Sequence, residues 1–173
     1  MDLPGATYLF TLAALSVTFV GFSALVIVFR QTMGGDMSRV EILIARIFIQ
    51  LGFMVTASAM LPPLLALFDL QHALIWRIAS LTAAIPSFVF AVTYPARRRA
   101  ASGVATPLLI WLDIAVMLVA VAVLVWNCVG IGITPGPGPF AAALTIILFL
   151  SGFAYLQALR MLLRHHLSRL EKP

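Results

Sequence analysis

The chain contains five long apolar stretches, and they constrain its fold more than any other feature of the sequence. Hydrophobic residues make up 62% of the 173 residues and charged residues only 10%, whereas globular proteins average nearly half apolar and about a quarter charged. Each stretch is long enough, at about 1.5 Å per helical residue, to cross a hydrocarbon core of about 30 Å. The stretches are 7–29, 40–68, 73–94, 107–133 and 140–163.

These stretches predict an all-α, polytopic membrane protein. The residues before Thr7 contain no basic side chain, and the first apolar run is longer than that of a signal peptide, so we expect it to be retained as the first span. No hydrophilic stretch is long enough to fold by itself. The sequence therefore predicts one domain over residues 1–173, a single bundle of five transmembrane helices.

The basic residues indicate the orientation of the spans. Basic residues in short loops are retained on the cytoplasmic side, and ten of the eleven lie on one side if the N-terminus is outside and the C-terminus is cytoplasmic. Only Arg77 lies on the other side. The location predicted is a cell inner or plasma membrane. The ten are Arg30, Arg39, Arg46, Arg97, Arg98, Arg99, Arg160, Arg164, Arg169 and Lys172.

The net charge of +5 has the same explanation. The many arginines are explained by the membrane topology and by their attraction to anionic lipid headgroups on the cytoplasmic side. We therefore expect the lipid bilayer to be a partner of the chain, and we expect no nucleic-acid partner.

We find no pattern of residues that carries catalysis or holds a cofactor. The single cysteine, Cys128, cannot form an internal disulfide or a cysteine-based metal site. His165 and His166 are adjacent and point about 100° apart on a helix, which is poor geometry for chelating one metal. No nucleophile can be placed beside a base. We therefore expect no enzyme, no catalytic residue, no cofactor and no metal.

Asp113 is the most informative single residue, because a carboxylate within a span is costly and is by default a functional candidate. It lies about 9 Å below the interface if span 4 begins at Pro107, and Arg46 of span 2 has a similar depth. We predict a buried ion pair between them, with Gln50 in the same polar patch. Two alternatives are a proton or cation site at Asp113, and a span 4 that begins after Asp113 with Trp111 as an interfacial anchor.

Small and weakly polar residues form a narrow stripe along span 1 at helical spacing. Such a stripe packs against another helix or lines a pore, and helix packing in lipid favours the same residue types. The stripe comprises Thr7, Thr11, Ala14, Thr18 and Gly21.

Prolines within the spans predict helix kinks, because each removes a backbone donor and frees a carbonyl about one turn earlier. Pro62 and Pro63 lie in the outer part of span 2, and Pro86 lies near the middle of span 3. A broken helix that exposes carbonyls to ions, as in transporters, is the alternative at Pro86.

Three further features concern the ends of the spans. Ser38 and Glu41 have the spacing of a capping box at the start of span 2. The segment 134–139 alternates proline and glycine, which predicts a stiff external connector. Trp76 and Trp126 fall near the outer interface and are interpreted as belt residues.

The asymmetric distribution of basic residues predicts that every copy of the chain inserts into the membrane in the same orientation. A homo-oligomer would therefore be parallel and cyclic about the membrane normal. The function that we expect is therefore a small parallel homo-oligomeric channel or permease for an ion or small solute. The alternative is a non-transporting accessory or scaffold subunit of a membrane complex. A polar path along the symmetry axis would favour the channel or permease over the accessory subunit.

Overall fold

The computed structural model describes residues 3–32, 39–103, 107–132 and 134–170 of the chain. These residues form five helices and no strand, so the protein is all-helical. The predicted capping box at Ser38 and Glu41 begins outside the described residues. The helices are α1 (Ala6–Thr32), α2 (Arg39–Ala66), α3 (His72–Ser102), α4 (Leu108–Val129) and α5 (Pro137–Leu170).

Each predicted stretch lies mainly within one helix, and two helix ends differ from the prediction for the same reason. α3 continues beyond Tyr94 and is terminated by Gly103 (φ 65°), whereas α4 stops at Val129 because Gly130 (φ 75°) follows it. Both glycines adopt the left-handed conformation that non-glycine residues rarely adopt. Their N–H groups donate to the carbonyls of Arg99 and Trp126, respectively.

Four of the helices form a ring. α2 packs on α3, α3 on α4, α4 on α5 and α5 on α2, while α1 lies outside the ring against α2 and more loosely against α5. α2 and α4 occupy opposite corners and do not contact each other. Because α1, α3 and α5 run parallel to one another, all three begin at one end of the bundle and finish at the other. We call these ends the Asn127 end, where these three helices begin, and the Asp113 end, where they finish.

The core is filled by aliphatic and small side chains along the length of the bundle. Its fully buried members include Val55 of α2, Leu124 of α4 and Ile147 of α5. α3 contributes a face of alanines that lets its neighbours approach closely, namely Ala79, Ala83, Ala84 and Ala91. The large apolar side chains of the other faces are exposed, as expected where lipid is the solvent.

Four helices are long and apolar enough to cross a membrane: Ala6–Phe29, Ile42–Ala66, His72–Ser102 and Leu108–Val129. The chain is therefore a multi-pass membrane protein by length and composition. In α5 the described apolar part, Pro137–Phe153, is shorter, although the whole helix has 34 residues.

Candidate functional site

The small-residue stripe of α1 lies on the outside of the described bundle. Thr7, Thr11 and Thr18 are exposed, and no atom lies within 4 Å of where a side chain on Gly21 would begin. Two of the hydroxyls are already bonded to their own helix, since Thr11 donates to the Thr7 carbonyl and Thr18 to the Ala14 carbonyl, at 2.9 and 2.8 Å. The stripe is therefore exposed in the described part of the bundle, and both its packing role and its pore-lining role stay predictions.

The opposite face of α1 makes the close contact with α2. Ser16 is buried and donates to the Gly52 carbonyl at 2.8 Å, and Thr56 of α2 donates to the same oxygen at 2.9 Å. A methyl group on Gly52 would overlap the Cγ2 atom of Val20. The seam therefore depends on the absence of a side chain at residue 52, which is the packing mode that small residues allow in membranes.

The structure does not bring Arg46 and Asp113 together. Arg46 and Gln50 are exposed on α2, so they do not form the buried patch that equal depth had suggested. Asp113 is half-buried in the second turn of α4. Because α2 and α4 are diagonal in the ring, the described contacts do not include the predicted ion pair between these two helices.

The polar neighbours of Asp113 are instead on α3. Tyr94 lies near both Asp113 and Arg98. The ring of Phe90 stacks on Tyr94 with centroids 5.6 Å apart. Arg98 is half-buried, and its Nε atom is buried without a hydrogen-bond partner.

At the other end of α4, Asn127 forms the best-connected polar site of the described bundle. Its side chain is completely buried. Its amide nitrogen donates to the Ser80 hydroxyl at 2.9 Å and to the Gly136 carbonyl at 3.1 Å, and its oxygen accepts from the Gly136 N–H at 3.0 Å. Asn127 thereby joins α3, α4 and the proline-glycine connector. Sequence analysis missed it, although a lone amide inside an apolar run was the available signal.

Trp76 is a correction to the predicted aromatic belt. Its side chain is only 2% exposed and packs on Phe140 of α5, with ring centroids 5.6 Å apart. The position of Trp76 near the start of α3 was compatible with an aromatic belt, but its side chain lies on the face of α3 that packs inside the bundle. Trp126 is half-exposed, and its indole N–H donates to the Ile131 carbonyl at 2.9 Å. Its role as a belt residue stays a prediction.

The prolines do not interrupt their helices. α2 runs as one helix through Pro62 and Pro63, and α3 runs through Pro86 and Pro95. Pro62 is fully buried, whereas Pro86 is exposed on the outside of the bundle. The structure thus has no broken segment at Pro86, and the kinks stay predictions.

No cluster of three or more histidine, cysteine, aspartate or glutamate side chains capable of holding a metal occurs among the described residues. The side chains of His165 and His166 lie outside the described part of the molecule. Comparison with protein-family models, with curated proteins and with solved structures finds no match to this chain. Function must therefore be argued from the geometry of the helices and their polar side chains.

Proposed function

We propose that this chain is a five-span integral membrane protein that serves as a non-transporting accessory or scaffold subunit of a membrane complex. The observation that carries the proposal is the use of buried hydroxyl groups within the described part of the bundle. Its buried hydroxyls serve the fold itself: Ser16 bonds α2, Ser80 accepts from Asn127, and Ser87 donates to the Ala83 carbonyl at 2.7 Å. Polar groups that are bonded to the protein in this way are not available to solvate a passing solute.

The five-span topology and its orientation are part of the same proposal. α5 has 34 residues, about 51 Å at 1.5 Å per residue, which exceeds the thickness of a bilayer core. With five spans, the asymmetry of the basic residues along the sequence makes the Asp113 end the cytoplasmic one. The Asn127 end, with Arg77 as its one basic residue, is external.

A second candidate is the parallel homo-oligomeric channel, and one observation favours it. The threonine stripe of α1 is exposed on the single chain, so a cyclic assembly with α1 nearest the axis would line a path with Thr7, Thr11 and Thr18. Hydroxyl groups offer donors and acceptors without fixed charge, so such a path would discriminate weakly by sign.

Flux through proteoliposomes separates the two candidates. The subunit proposal predicts that the purified wild-type protein passes no ion or small solute above empty liposomes. Flux that is blocked by Thr18→Leu, kept by Thr18→Val and unaffected by Val17→Leu would establish the channel instead. Val17 is the matched control because it is half-exposed on the same helix but outside the stripe.

The composition of the native assembly tests the subunit proposal independently. Native mass spectrometry of the protein, excised from its own membrane in lipid nanodiscs, should give a complex that contains a different polypeptide at fixed stoichiometry. Masses that are only multiples of the 18.7 kDa chain would contradict the proposal.

A further inference from the structure

Two polar side chains of α2 point out of the bundle and are satisfied by no described group. Arg46 and Gln50 lie one helical turn apart, and both are exposed. α2 already packs against α1, α3 and α5, yet this side of the helix stays open. Among the described residues, neither side chain takes part in a hydrogen bond or an ion pair. Their positions therefore indicate contact with another molecule.

Both side chains lie within the apolar span of α2, which covers Ile42–Ala66. At about 1.5 Å per residue, Arg46 lies about 6 Å and Gln50 about 12 Å from the start of that span. A long arginine side chain reaches the headgroups from such a depth, so lipid alone would satisfy Arg46. A glutamine side chain is too short to do so, and an amide without hydrogen-bond partners in hydrocarbon is costly. Gln50 is therefore the residue that indicates a protein partner.

The same side of α2 continues as an apolar stripe. Phe53, Ala57 and Met60 follow Gln50 at intervals of three or four residues, and all three are exposed. With Arg46 and Gln50 they form one continuous row along the helix, which we call the α2 outer face. The row is about 21 Å long at 1.5 Å per residue. Its length suits a helix, and the alanine beside a large ring allows the close approach by which helices pack in membranes.

We propose that the α2 outer face docks a transmembrane helix of a different polypeptide, and that this helix carries a glutamate or aspartate near the Asp113 end of the bundle. Charges within membranes pair with one another, so an unpaired arginine calls for a carboxylate. The Arg46 guanidinium donates two hydrogen bonds to that carboxylate, and the Gln50 amide donates to one of its remaining lone pairs. This inference rests on the proposed accessory role and gives the chemistry of its partner.

The first test measures binding of designed single-span helices to the full-length protein by fluorescence energy transfer in detergent micelles. The helices share a leucine-alanine sequence of about 20 residues and differ at one position, at the depth of Arg46, which is glutamate, glutamine, lysine or leucine. The glutamate helix should bind about tenfold more tightly than the leucine helix, the gain expected of charge-assisted hydrogen bonds. The lysine helix should bind most weakly. Equal binding of the glutamate and leucine helices would overturn the proposal.

Variants then assign the effect to the two polar side chains. Arg46→Glu should reverse the preference, so that the lysine helix binds more tightly than the glutamate helix. Gln50→Leu should reduce the preference for glutamate over leucine about threefold, the effect of one interhelical hydrogen bond in a membrane protein. Arg97→Gln, which removes an exposed arginine from α3, is the matched control and should change nothing. A preference that survives Arg46→Glu, or that Arg97→Gln removes as well, would contradict the proposed site.

The native assembly separates this inference from the proposed function. In native mass spectrometry, Arg46→Leu should release the second polypeptide, whereas Arg97→Gln should retain it. A complex of two polypeptides that keeps its composition in Arg46→Leu would overturn the docking site and leave the accessory role standing. If that variant loses only bound anionic phospholipid, Arg46 contacts headgroups and the proposal is wrong. A wild-type complex made only of copies of this chain would contradict the accessory role and the docking site together.

Discussion

The two ends of α4 use polar side chains in opposite ways. Asn127, near the C-terminal end, is completely buried, and its amide donors and its oxygen are bonded to Ser80 and Gly136. Asp113, near the N-terminal end, is half-buried and bonds no described residue. The comparison teaches that a polar residue in an apolar span is structural when its neighbours satisfy it and available for contact when they do not.

Electrostatics explains why the amide and the carboxylate differ. A neutral amide can be satisfied by a hydroxyl and a backbone turn, so it tolerates complete burial. An ionised carboxylate needs a counter-charge or water, because its desolvation costs several kcal/mol when it is buried alone. Asp113 accordingly is only half-buried.

The largest effect that we expect is from Asn127→Leu. The leucine leaves the N–H and carbonyl of Gly136 and the hydroxyl of Ser80 without their partner, so the free energy of unfolding should fall by about 2–4 kcal/mol. Unfolding in mixed micelles titrated with a denaturing detergent measures the change. Val125→Leu, an exposed apolar change on the same helix, is the control. A loss below that of Asp113→Asn would break the comparison.

Ser80→Ala should have a smaller effect on the same network. It removes one acceptor of Asn127 while both hydrogen bonds to Gly136 remain, so we expect a loss of about 1 kcal/mol by the same assay. Ser151→Ala is the matched control, because its buried hydroxyl donates within α5 to the Leu148 carbonyl. If the two serine substitutions lower the free energy of unfolding equally, the hydrogen bond between Ser80 and Asn127 makes no measurable contribution of its own.

Asp113→Asn should leave the stability in lipid-free detergent almost unchanged, within about 0.5 kcal/mol. The substitution keeps the shape of the side chain, and no hydrogen bond or ion pair joins Asp113 to a described residue. The same unfolding assay, with Asn127→Leu measured in parallel, gives the comparison directly. A loss of several kcal/mol would show that Asp113 has a structural partner.

The smallest effect that we expect is the coupling between Arg46 and Asp113. Their helices do not contact each other, so the losses caused by Arg46→Ala and Asp113→Ala should add to within about 0.5 kcal/mol in the double variant. A double-mutant cycle measures this coupling. A larger coupling energy would support the ion pair between Arg46 and Asp113 that their similar predicted depth suggests.

The sequence predicts the helices well and their neighbours poorly. Apolar length predicts where each helix lies in the sequence, which is why each of the five stretches lies mainly within one helix. Depth does not say which helices are adjacent. Arg46 and Asp113 are predicted at a similar depth but lie on diagonal helices, and Asp113 lies near Tyr94 instead.

The direction in which a side chain points was equally hard to predict. Trp76 lies at a depth suited to an aromatic belt, yet it faces Phe140 inside the bundle. Helical spacing groups the stripe of α1 on one face, but nothing in the spacing shows whether its residues are exposed or buried. Both outcomes depend on how the helices pack, and no local pattern encodes that.

The most direct test of the account is the sidedness of the chain in its membrane. In a Cys128→Ser background, single cysteines replacing Thr134 and Ala100 are treated with a membrane-impermeant maleimide, and epitope tags are placed before Met1 and after Pro173. The five-span orientation predicts labelling of Thr134→Cys and detection of the first tag in intact cells. Ala100→Cys and the second tag should react only after permeabilisation. Detection of both tags on one side of the membrane would contradict the account.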